Sequence, residues 1–431
     1  MLGRERFGPL QESNFRRLWV GQTTSAVGDA MTVVALTFAV LAISGSAADL
    51  GFVLAANFVP RSVFLLVGGV WADRLPRRTI MVAADVVRAT AQLALALAVL
   101  SGPAELWVFI LISAITGAAS AFFMPAVTGL VPQAVSPARL QQGNALLNLS
   151  QSTAFILGPV LAGILVAAIG AGWVFIVDAA TFATSAVSLL LLRVAPAPRE
   201  AAEPFLAELR AGWREVVGRA WLVASLGAFL FGNLAYAAFF VLGPVVVEQR
   251  YNGAQDWGIL MGGFGLGGLI GGAAALRWRP DRPLVVTFGV LVVGPISLLL
   301  LSTVPPLAVL FLGVVGFATA TGVANTLWHT TLQQQVPEKS ISRVSSYDWM
   351  ISLLIFPIGS ALAGPLADLW TPGPALVIFA GLAGIPLLLV LAVPSVRAIR
   401  RREPESRVER AQKPGAEPAV VSAGARADAA S

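Results

Sequence analysis

Gly69 to Arg78 reads GVWADRLPRR, a short charged stretch that separates two long apolar runs. The run before it covers residues 50–71, and the run after it covers residues 79–100. Each run is about 20 residues long, which is the length that an α-helix needs to cross the hydrocarbon core of a bilayer. The proline and the three arginines between them end the first helix and belong at the polar membrane surface. The stretch therefore predicts a pair of antiparallel transmembrane helices joined by a tight turn.

This alternation of apolar runs and short links recurs along the whole chain of 431 residues, of which 57% are hydrophobic and only 12% charged. A soluble domain carries about 25% charged residues, so a chain with a mean hydropathy of +0.79 has lipid as its solvent. The runs lack the alternating pattern of barrel strands. We predict an all-α integral membrane protein with twelve transmembrane helices, over residues 18–42, 50–71, 79–100, 105–131, 144–169, 172–193, 221–247, 256–277, 284–303, 306–332, 345–369 and 374–394.

Lysine and arginine residues gather in every second link of this pattern. Of the 29 in the chain, Arg61 and Arg88 lie inside predicted helices, and Arg250 is the only one in the alternate links. Cytoplasmic loops are the loops that carry such an excess. The pattern predicts a multi-pass protein of the inner or plasma membrane with both termini in the cytoplasm. It also accounts for the net charge of +6 without nucleic acid as a partner.

The longest link divides the chain into two similar parts. We predict a six-helix bundle over residues 1–195, a cytoplasmic linker over 196–220, a second six-helix bundle over 221–395 and a disordered cytoplasmic tail over 396–431. Apolar side chains of the linker recur at helical spacing among charged ones, which is typical of an amphipathic helix on the membrane surface. A solvated tether is the alternative.

Several residue types that carry chemistry are missing or misplaced. The chain has no cysteine and one histidine, His329, so we expect no metal site and no cofactor. We interpret His329 as a packed or interfacial residue, and a proton relay is the alternative. The sequence contains no HExxH, GxSxG or Walker A motif, which argues against an enzyme and against an ATP-driven pump. Residues 263–268 match the dinucleotide pattern G-x-G-x-x-G, but they lie inside an apolar run. Gly263, Gly267 and Gly271 instead predict a small-residue stripe for close helix contact.

Two charged residues lie near the middle of the bilayer. Asp29 is about 12 residues into predicted helix 1, and Arg61 is about 12 residues into predicted helix 2, counted from the opposite face. An ionisable group at this depth costs several kcal/mol unless it is paired or hydrated, so we predict that the two pair and line a central cavity. Asp29 is then a candidate site for proton coupling. A static buried pair that fixes the packing is the alternative.

Other polar side chains inside the apolar runs are further candidates. Asp85 and Arg88 are three residues apart on predicted helix 3 and predict a structural ion pair along one helix face. Asp178, in the outer third of predicted helix 6, is a candidate for binding a substrate or for capping a neighbouring helix. Polar groups in such helices face protein or water rather than lipid, and each alone serves equally well as a hydrogen bond between helices. The remaining cavity candidates are Asn57, Asn144, Asn148, Gln151, Asn233, Tyr236, Asn325 and Trp328.

The opening stretch resembles a signature of the major facilitator superfamily, G-x-x-x-D-R-x-G-R-R, with Pro76 in place of the second glycine. The matching residues are Gly69, Asp73, Arg74, Arg77 and Arg78. The resemblance implies that the Asp73 carboxylate docks against the start of predicted helix 11, where the helix dipole favours a negative charge. An anchor made by the positive charges alone is the alternative.

Residues 158–163 read GPVLAG and resemble the antiporter motif G-P-x-x-G-G of exporters in the same superfamily, with Ala162 in place of one glycine. The matching residues Gly158, Pro159 and Gly163 favour a close helix contact and a bend. Ordinary small-residue packing is the alternative. Residues 14–19, 25–29, 60–61, 139–145 and 177–182 are similar to the branch of the superfamily that contains enterobactin exporters and macrolide-efflux proteins.

The resemblance implies two pseudo-symmetric six-helix bundles and a secondary active transporter. It favours a proton-coupled antiporter that exports a hydrophobic or amphipathic small molecule, such as a drug, a macrolide or a siderophore-like compound, by alternating access. The implied partners are that small molecule, protons and the lipid bilayer, and the implied state is a monomer. An importer or lipid transporter of the same fold and a non-transporting membrane scaffold are the alternatives.

Overall fold

The computed structural model describes residues 8–74, 76–102, 104–193 and 213–401. Side chains are described in these ranges except at residues 66–74, 125, 276, 338–343, 346, 349 and 351–354. Within the described ranges all regular secondary structure is helical, which confirms the predicted fold class.

Twelve long helices run through the described chain. They are α1 Ser13–Ser44, α2 Ala47–Arg74, α3 Arg77–Leu100, α4 Leu106–Ala134, α5 Leu140–Ile169, α6 Ala171–Leu190, α7 Ala220–Arg250, α8 Ala254–Arg277, α9 in two parts (Pro283–Leu291 and Val293–Ser302), α10 Leu307–Gln335, α11 Glu338–Trp370 and α12 Pro372–Val390. Eleven of them contain a described stretch that is long and apolar enough to cross a membrane, and in α11 the apolar part, Ile355–Trp370, is shorter. These helices confirm the predicted polytopic membrane protein.

Several helices extend beyond their predicted spans. α1 begins at Ser13 rather than at residue 18, and α11 begins at Glu338 rather than at residue 345. A hydropathy pattern marks the part of a helix that lies in hydrocarbon, whereas polar first turns continue the same helix into the interface. The difference therefore concerns the helix ends and leaves the order of the helices unchanged.

α9 is broken near its middle, after Leu291. Pro295 has no amide hydrogen to donate to the Leu291 carbonyl, and its ring crowds that carbonyl. The first part of the helix therefore ends at Leu291, and the second part begins at Val293.

The helices pack in two sets that meet along two lines. In the first set α6 lies against both α1 and α3, and α2 lies against α4. In the second set α10 lies against α8 and α9, and α12 lies against α7 and α9. The sets meet where α2 packs on α11 and where α5 packs on α8. Helices that follow each other in the chain do not always pack against each other. A short link joins α1 and α2, for example, but the two helices share few contacts.

The hydrophobic core is continuous on one side of the protein and divided on the other. On the side of the arginine-poor links, one buried cluster draws residues from both halves, including Leu50 of α2 and Trp257 of α8. On the arginine-rich side the described buried residues form two clusters, one around Phe15 in the first half and one around Leu222 in the second. Among the described side chains, the hydrophobic core that the two halves share thus lies on the arginine-poor side.

The link between the halves and the C-terminal end are partly described. Residues 213–217 are helical, with Val216 buried and Trp213 exposed. Residues 194–212 lie outside the described chain, so the amphipathic helix in the linker stays a prediction. Pro394–Ala398 forms a short helix, α13, whose Val396 is fully buried. The chain therefore remains packed beyond the predicted start of the tail at residue 396, and residues 402–431 lie outside the described chain.

Candidate functional site

A cavity of about 490 Å³ opens among the helices of the first half. α1 to α6 all contribute to its wall, and three helices of the second half close one side through Tyr236, Trp257 and Phe356. We call it the N-half cavity. The predicted residues that line it are Asp29, Asn57, Arg61, Gln151 and Tyr236.

Arg88 on α3 is the centre of the charges beside this cavity. Its guanidinium forms a buried ion pair with Asp85, three residues earlier on the same helix, which confirms the predicted pair. The nitrogen Nη1 of the same guanidinium lies 3.8 Å from Oδ2 of Asp29 on α1. The rings of Phe123 and Phe182 cover the guanidinium, with their centres 4.3 Å and 4.2 Å from its carbon. Cation–π contacts of this kind strengthen when water is excluded, so they hold the guanidinium in place.

The predicted pairing of Asp29 with Arg61 is not found among the described residues, because Arg88 takes the place of Arg61. Arg61 lines the same cavity and lies within electrostatic range of Asp29, but no nitrogen–oxygen distance between them is within 4.0 Å. The sequence shows depth along a helix but not which helices touch. α1 packs on α5 and α6 rather than on α2, and a long arginine side chain from α3 reaches it.

Asp29 and Asp85 differ in their access to the cavity. About half of the Asp29 side chain is exposed, at 55%, whereas the Asp85 side chain is fully buried. Arg88 between them is 4% exposed. A proton or a solute in the N-half cavity therefore reaches Asp29 and does not reach Asp85.

Asp178 on α6 is a third carboxylate next to these groups. Its side chain is fully buried, and its Oδ2 accepts a hydrogen bond of 2.8 Å from the hydroxyl of Thr32. Thr32 lines the N-half cavity, whereas Asp178 does not. Gly28 makes room for the carboxylate, because a Cβ at this position would overlap it. In the described part of the chain no cation lies within 4.0 Å of the Asp178 oxygens.

We call Asp29, Asp85, Asp178, Arg61 and Arg88 the acid–base cluster. Electrostatic interactions join Asp178 to Asp29 and Arg88, and join Arg61 to the same two residues. With all five groups ionised, the cluster has three negative charges and two positive charges. An unbalanced charge inside a membrane costs several kcal/mol, so the cluster has a physical reason to take up one proton or a cationic solute.

A second cavity, of about 300 Å³, lies inside the second half between α7, α9, α10, α11 and α12. We call it the C-half pocket. The predicted residues Asn233, Tyr236 and Asn325 line it, as do Trp328 and His329. Tyr236 lines both cavities, so the two cavities meet at its side chain.

Asp348 on α11 is the candidate that sequence reasoning misses. It lines the C-half pocket, and its Oδ2 accepts a hydrogen bond of 3.0 Å from the indole nitrogen of Trp328. The signal is present in the sequence, since Asp348 falls inside predicted helix 11 and an acid within a membrane helix needs a partner or water. Asp348 lies only three residues from the start of the predicted span. A charge near the end of a span is compatible with the membrane interface, so it does not by itself indicate a buried site.

Other predicted cavity residues lie elsewhere or take part in packing. Asn144 and Asn148 are exposed on the arginine-rich part of α5 and line neither cavity. The amide of Asn57 donates to the Ser113 carbonyl of α4 at 3.1 Å. The amide of Asn233 donates at 2.9 Å to a carbonyl one turn earlier on α7. Hydrogen bonds between and along helices thus account for part of what these amides do.

The motif of predicted helix 5 lies on the line where α5 crosses α8. A Cβ at Gly163 would overlap the Ala254 carbonyl of α8, and a Cβ at Gly258 would overlap the Pro159 carbonyl of α5. Gly158 instead faces α1. Glycine at these positions lets the backbones of the two halves touch on the arginine-poor side.

α8 has a second glycine row on its other face. Gly263, Gly267 and Gly271 face α10, where added Cβ atoms would overlap a phenylalanine ring and two backbone carbonyls. The predicted small-residue stripe is confirmed. Glycines thus let the α8 backbone approach α5 of the other half on one face. On another face they let it approach α10 of its own half.

Two arginines of the opening stretch bind other helices of the first half. Arg77 donates to the Gly129 carbonyl of α4 at 2.7 Å. Nε of Arg78 donates at 2.9 Å to the Leu189 carbonyl, near the C-terminal end of α6. A cation at a helix C-terminus satisfies free carbonyls and interacts favourably with the helix dipole. These arginines therefore tie the turn after α2 to the helices that surround it.

The rest of the opening stretch lies outside the described side chains. This applies to Gly69, Asp73 and Arg74. The docking of Asp73 against the start of α11 stays a prediction. The alternative, that the positive charges alone anchor this stretch at the membrane surface, also stays a prediction.

Comparisons with known proteins agree with this architecture. The profile of the Major Facilitator Superfamily matches residues 18–352. The chain is 28% identical over 364 residues to the multidrug efflux pump Tap of Mycolicibacterium fortuitum, with 80% of this chain and 87% of Tap covered. It is 28% identical over 398 residues to the enterobactin exporter EntS of Escherichia coli O1:K1 / APEC, with 91% and 94% covered. The crystal structure of the nucleoside transporter NupG superposes with a TM-score of 0.72 at 12% identity, covering 88% of this chain and 98% of NupG, which concerns the fold alone.

Proposed function

The chain belongs to the major facilitator superfamily, and on that premise we propose that it is a proton-coupled antiporter that exports a hydrophobic or amphipathic small molecule. The names of the two relatives, a multidrug efflux pump and an enterobactin exporter, support export as the direction. The single observation that carries proton coupling is the position of Arg88 between one exposed carboxylate and one buried carboxylate.

Arg88 is shared by Asp29 and Asp85, and only Asp29 meets the cavity. While Asp29 is ionised, both carboxylates attract the guanidinium. A proton that arrives at Asp29 removes one of these attractions, and Arg88 stays with Asp85. Protonation also removes the excess negative charge of the acid–base cluster, which lowers the cost of enclosing the cluster in low dielectric. A difference of a few kcal/mol between the two protonation states is enough to change which conformation of the protein is populated.

Substrate binding and protonation of Asp29 then favour different conformations. The halves are packed together on the arginine-poor side, so in this conformation a substrate enters from the arginine-rich side. Rocking of one half against the other, along the α2–α11 and α5–α8 contacts, exposes the cavity to the opposite side. Protonation of Asp29 from that side favours the release of the substrate and the return of the protein. The proton then leaves Asp29 towards the arginine-rich side, which completes the exchange.

We place the arginine-rich links and both termini in the cytoplasm of a cell with this protein in its inner membrane. Residues 1–195 and 221–395 act as the two moving bundles, and residues 196–220 join them on the cytoplasmic side. We propose a monomer as the working unit.

The experiment uses inside-out membrane vesicles that contain the full chain and a respiration-driven pH gradient. Tetracycline, erythromycin and a catecholate siderophore are added in turn, and the fluorescence of a pH-gradient dye is recorded. An antiporter of this class dissipates the gradient with at least one compound. Asp29→Asn, which keeps the size of the side chain and removes its charge, is expected to lower that response at least tenfold.

Asp49→Asn is the matched control, because Asp49 lies in the first turn of α2 and does not line the N-half cavity. Its response should equal that of the unmodified protein. Proton exchange that persists in Asp29→Asn would overturn the role of Asp29. Compound movement in the opposite direction, out of the inside-out vesicles, would indicate an importer.

A further inference from the structure

The C-half pocket reaches into the second bundle rather than lying between the two halves. Leu298 and Pro295 of α9 and Leu387 of α12 form part of its wall. The break in α9 contributes to the space, because Leu291 and Pro295 both line the pocket at the break. Its volume of about 300 Å³ is in the range of pockets that hold small organic ligands.

The pocket carries one formal charge on its described wall. Asp348 is the only aspartate, glutamate, lysine or arginine among its described lining residues. Trp328 donates to Oδ2 of Asp348, and no described residue donates to Oδ1. No described cation lies within 4.0 Å of this carboxylate, in contrast to Asp85 with its arginine. The carboxylate is therefore oriented by one hydrogen bond and keeps an oxygen for a ligand.

Aromatic rings line the same pocket as this carboxylate. Phe229 and Trp328 meet edge to face with their centres 4.8 Å apart, and Tyr236 and Phe317 meet at 5.9 Å. All four rings line the pocket. Aromatic faces attract organic cations and stack on flat apolar groups. A cation that carries aromatic or apolar groups thus satisfies both the charge and the walls of the pocket.

We propose that the C-half pocket binds the cationic, apolar end of the exported molecule, with the Asp348 carboxylate as its charge partner. The proposal deepens the proposed function and rests on it, since it assigns the pocket to the transported compound. A neutral group leaves the Asp348 charge unpaired on binding, and an anion meets repulsion. The substrate class is therefore an organic cation with aromatic or bulky apolar substituents.

The experiment measures equilibrium binding of radiolabelled tetraphenylphosphonium to the purified full chain in detergent. Tetraphenylborate, which has the same shape and the opposite charge, is the competitor that tests the sign of the charge. We expect tetraphenylphosphonium to bind, tetraphenylborate to compete at least tenfold more weakly than the unlabelled cation, and Asp348→Asn to weaken cation binding about tenfold or more, the scale of a partly desolvated charge pair.

Asp368→Asn is the matched control on the same helix. Asp368 lies near the far end of α11, accepts a hydrogen bond from Ser46 and does not line the pocket. Its affinity for the cation should be unchanged. Asp348→Glu keeps the charge and should retain the preference for the cation, which separates loss of charge from loss of folding. Equal affinity in Asp348→Asn and the unmodified protein, or equal binding of the cation and the anion, would overturn the proposal.

Asp29→Asn separates this inference from the proposed function. If both hold, Asp29→Asn loses proton exchange and still binds tetraphenylphosphonium in preference to tetraphenylborate, because Asp348 is unchanged. If cation binding depends on Asp29 and not on Asp348, the C-half pocket is not the cation site and proton coupling at Asp29 is unaffected. If Asp29→Asn keeps proton exchange while Asp348→Asn loses cation binding, the coupling site is wrong and the cation site stands.

Discussion

The N-half cavity and the C-half pocket treat charge in different ways. Beside the first, Arg88 and Asp85 are almost wholly buried against each other, and five ionisable groups interact. On the described wall of the second, one carboxylate stands among aromatic rings with an indole as its partner. The net charge of a buried, interacting set of groups changes when it gains one proton. A single accessible carboxylate is instead suited to binding a ligand that carries a positive charge. The difference separates the energy-coupling part of the molecule from the part that selects a compound.

The largest expected effect comes from removing the cation that the buried charges share. Arg88→Met leaves Asp85 charged and fully buried, and breaking a buried pair in this way costs about 3–5 kcal/mol of stability. Arg61→Met removes a cation that is half-buried and has no described carboxylate within 4.0 Å, so we expect a smaller loss of stability than in Arg88→Met. Thermal unfolding of the two variants in detergent, followed by size-exclusion chromatography, measures the difference.

A second variant tests whether the buried charge is the cause. Asp85→Asn combined with Arg88→Met removes both ions, and it should recover part of the lost stability. If Arg88→Met and Arg61→Met unfold at the same temperature, the Arg88 guanidinium does not stabilise the first half. The proposed difference in charge between the two cavities would then be wrong.

An intermediate effect is expected where the two halves touch. Gly258→Val places a side chain against the α5 backbone, and overpacking of this kind costs about 1–3 kcal/mol. The cost falls on the conformation that is packed on the arginine-poor side, so the other conformation becomes more populated. The chain has no cysteine, so Val246→Cys, at a buried position in the continuous cluster, is a clean reporter. Its labelling by a membrane-impermeant maleimide should rise several-fold.

Gly268→Val on the same helix is the control, because a Cβ at Gly268 meets nothing within 4 Å. Labelling of Val246→Cys should not change in that background. Equal labelling with both valine substitutions would mean that the α5–α8 contact does not hold the halves together on that side.

The smallest effect is expected at the residue that both cavities share. The described residues form no hydrogen bond with the Tyr236 hydroxyl, so Tyr236→Phe should change the KM of transport less than twofold. Tyr236→Ala removes a ring that packs at 4.9 Å from Phe240 and 5.9 Å from Phe317, and it should raise the KM several-fold. A large effect of Tyr236→Phe on KM would show that the hydroxyl binds the substrate. It would contradict the prediction that Tyr236 acts only through its ring.

The sequence was sufficient for the number, order and type of the helices, because lipid imposes a length and a composition on every span. It was also sufficient for contacts that depend on spacing along one helix, such as Asp85 with Arg88 and the stripe at Gly263, Gly267 and Gly271. Contacts between helices depend on rotation and on which helices meet. For this reason Arg88, rather than Arg61, is the described partner of Asp29.

The two cavities show the same limit in another form. Asn325 and Tyr236 were recognisable as polar groups in apolar helices, but their sharing of one pocket with Asp348 depends on how α7, α10 and α11 pack. Asn144 and Asn148 have the same sequence signal and line neither cavity. Polarity in a membrane helix therefore predicts that a residue avoids lipid and does not predict which cavity it lines.

The two glycine faces of α8 have a consequence for how such a protein can adapt. A change at Gly258, Gly267 or Gly271 adds at least a Cβ where the backbone of another helix already lies. In laboratory evolution under a new toxic compound, α8 should therefore accumulate few substitutions. The walls of the C-half pocket should accumulate many substitutions, because a larger or smaller side chain at Ala383 or Leu387 changes only the space that is left for a ligand. Sequencing of selected populations would show mutational tolerance concentrated in the second half away from α8.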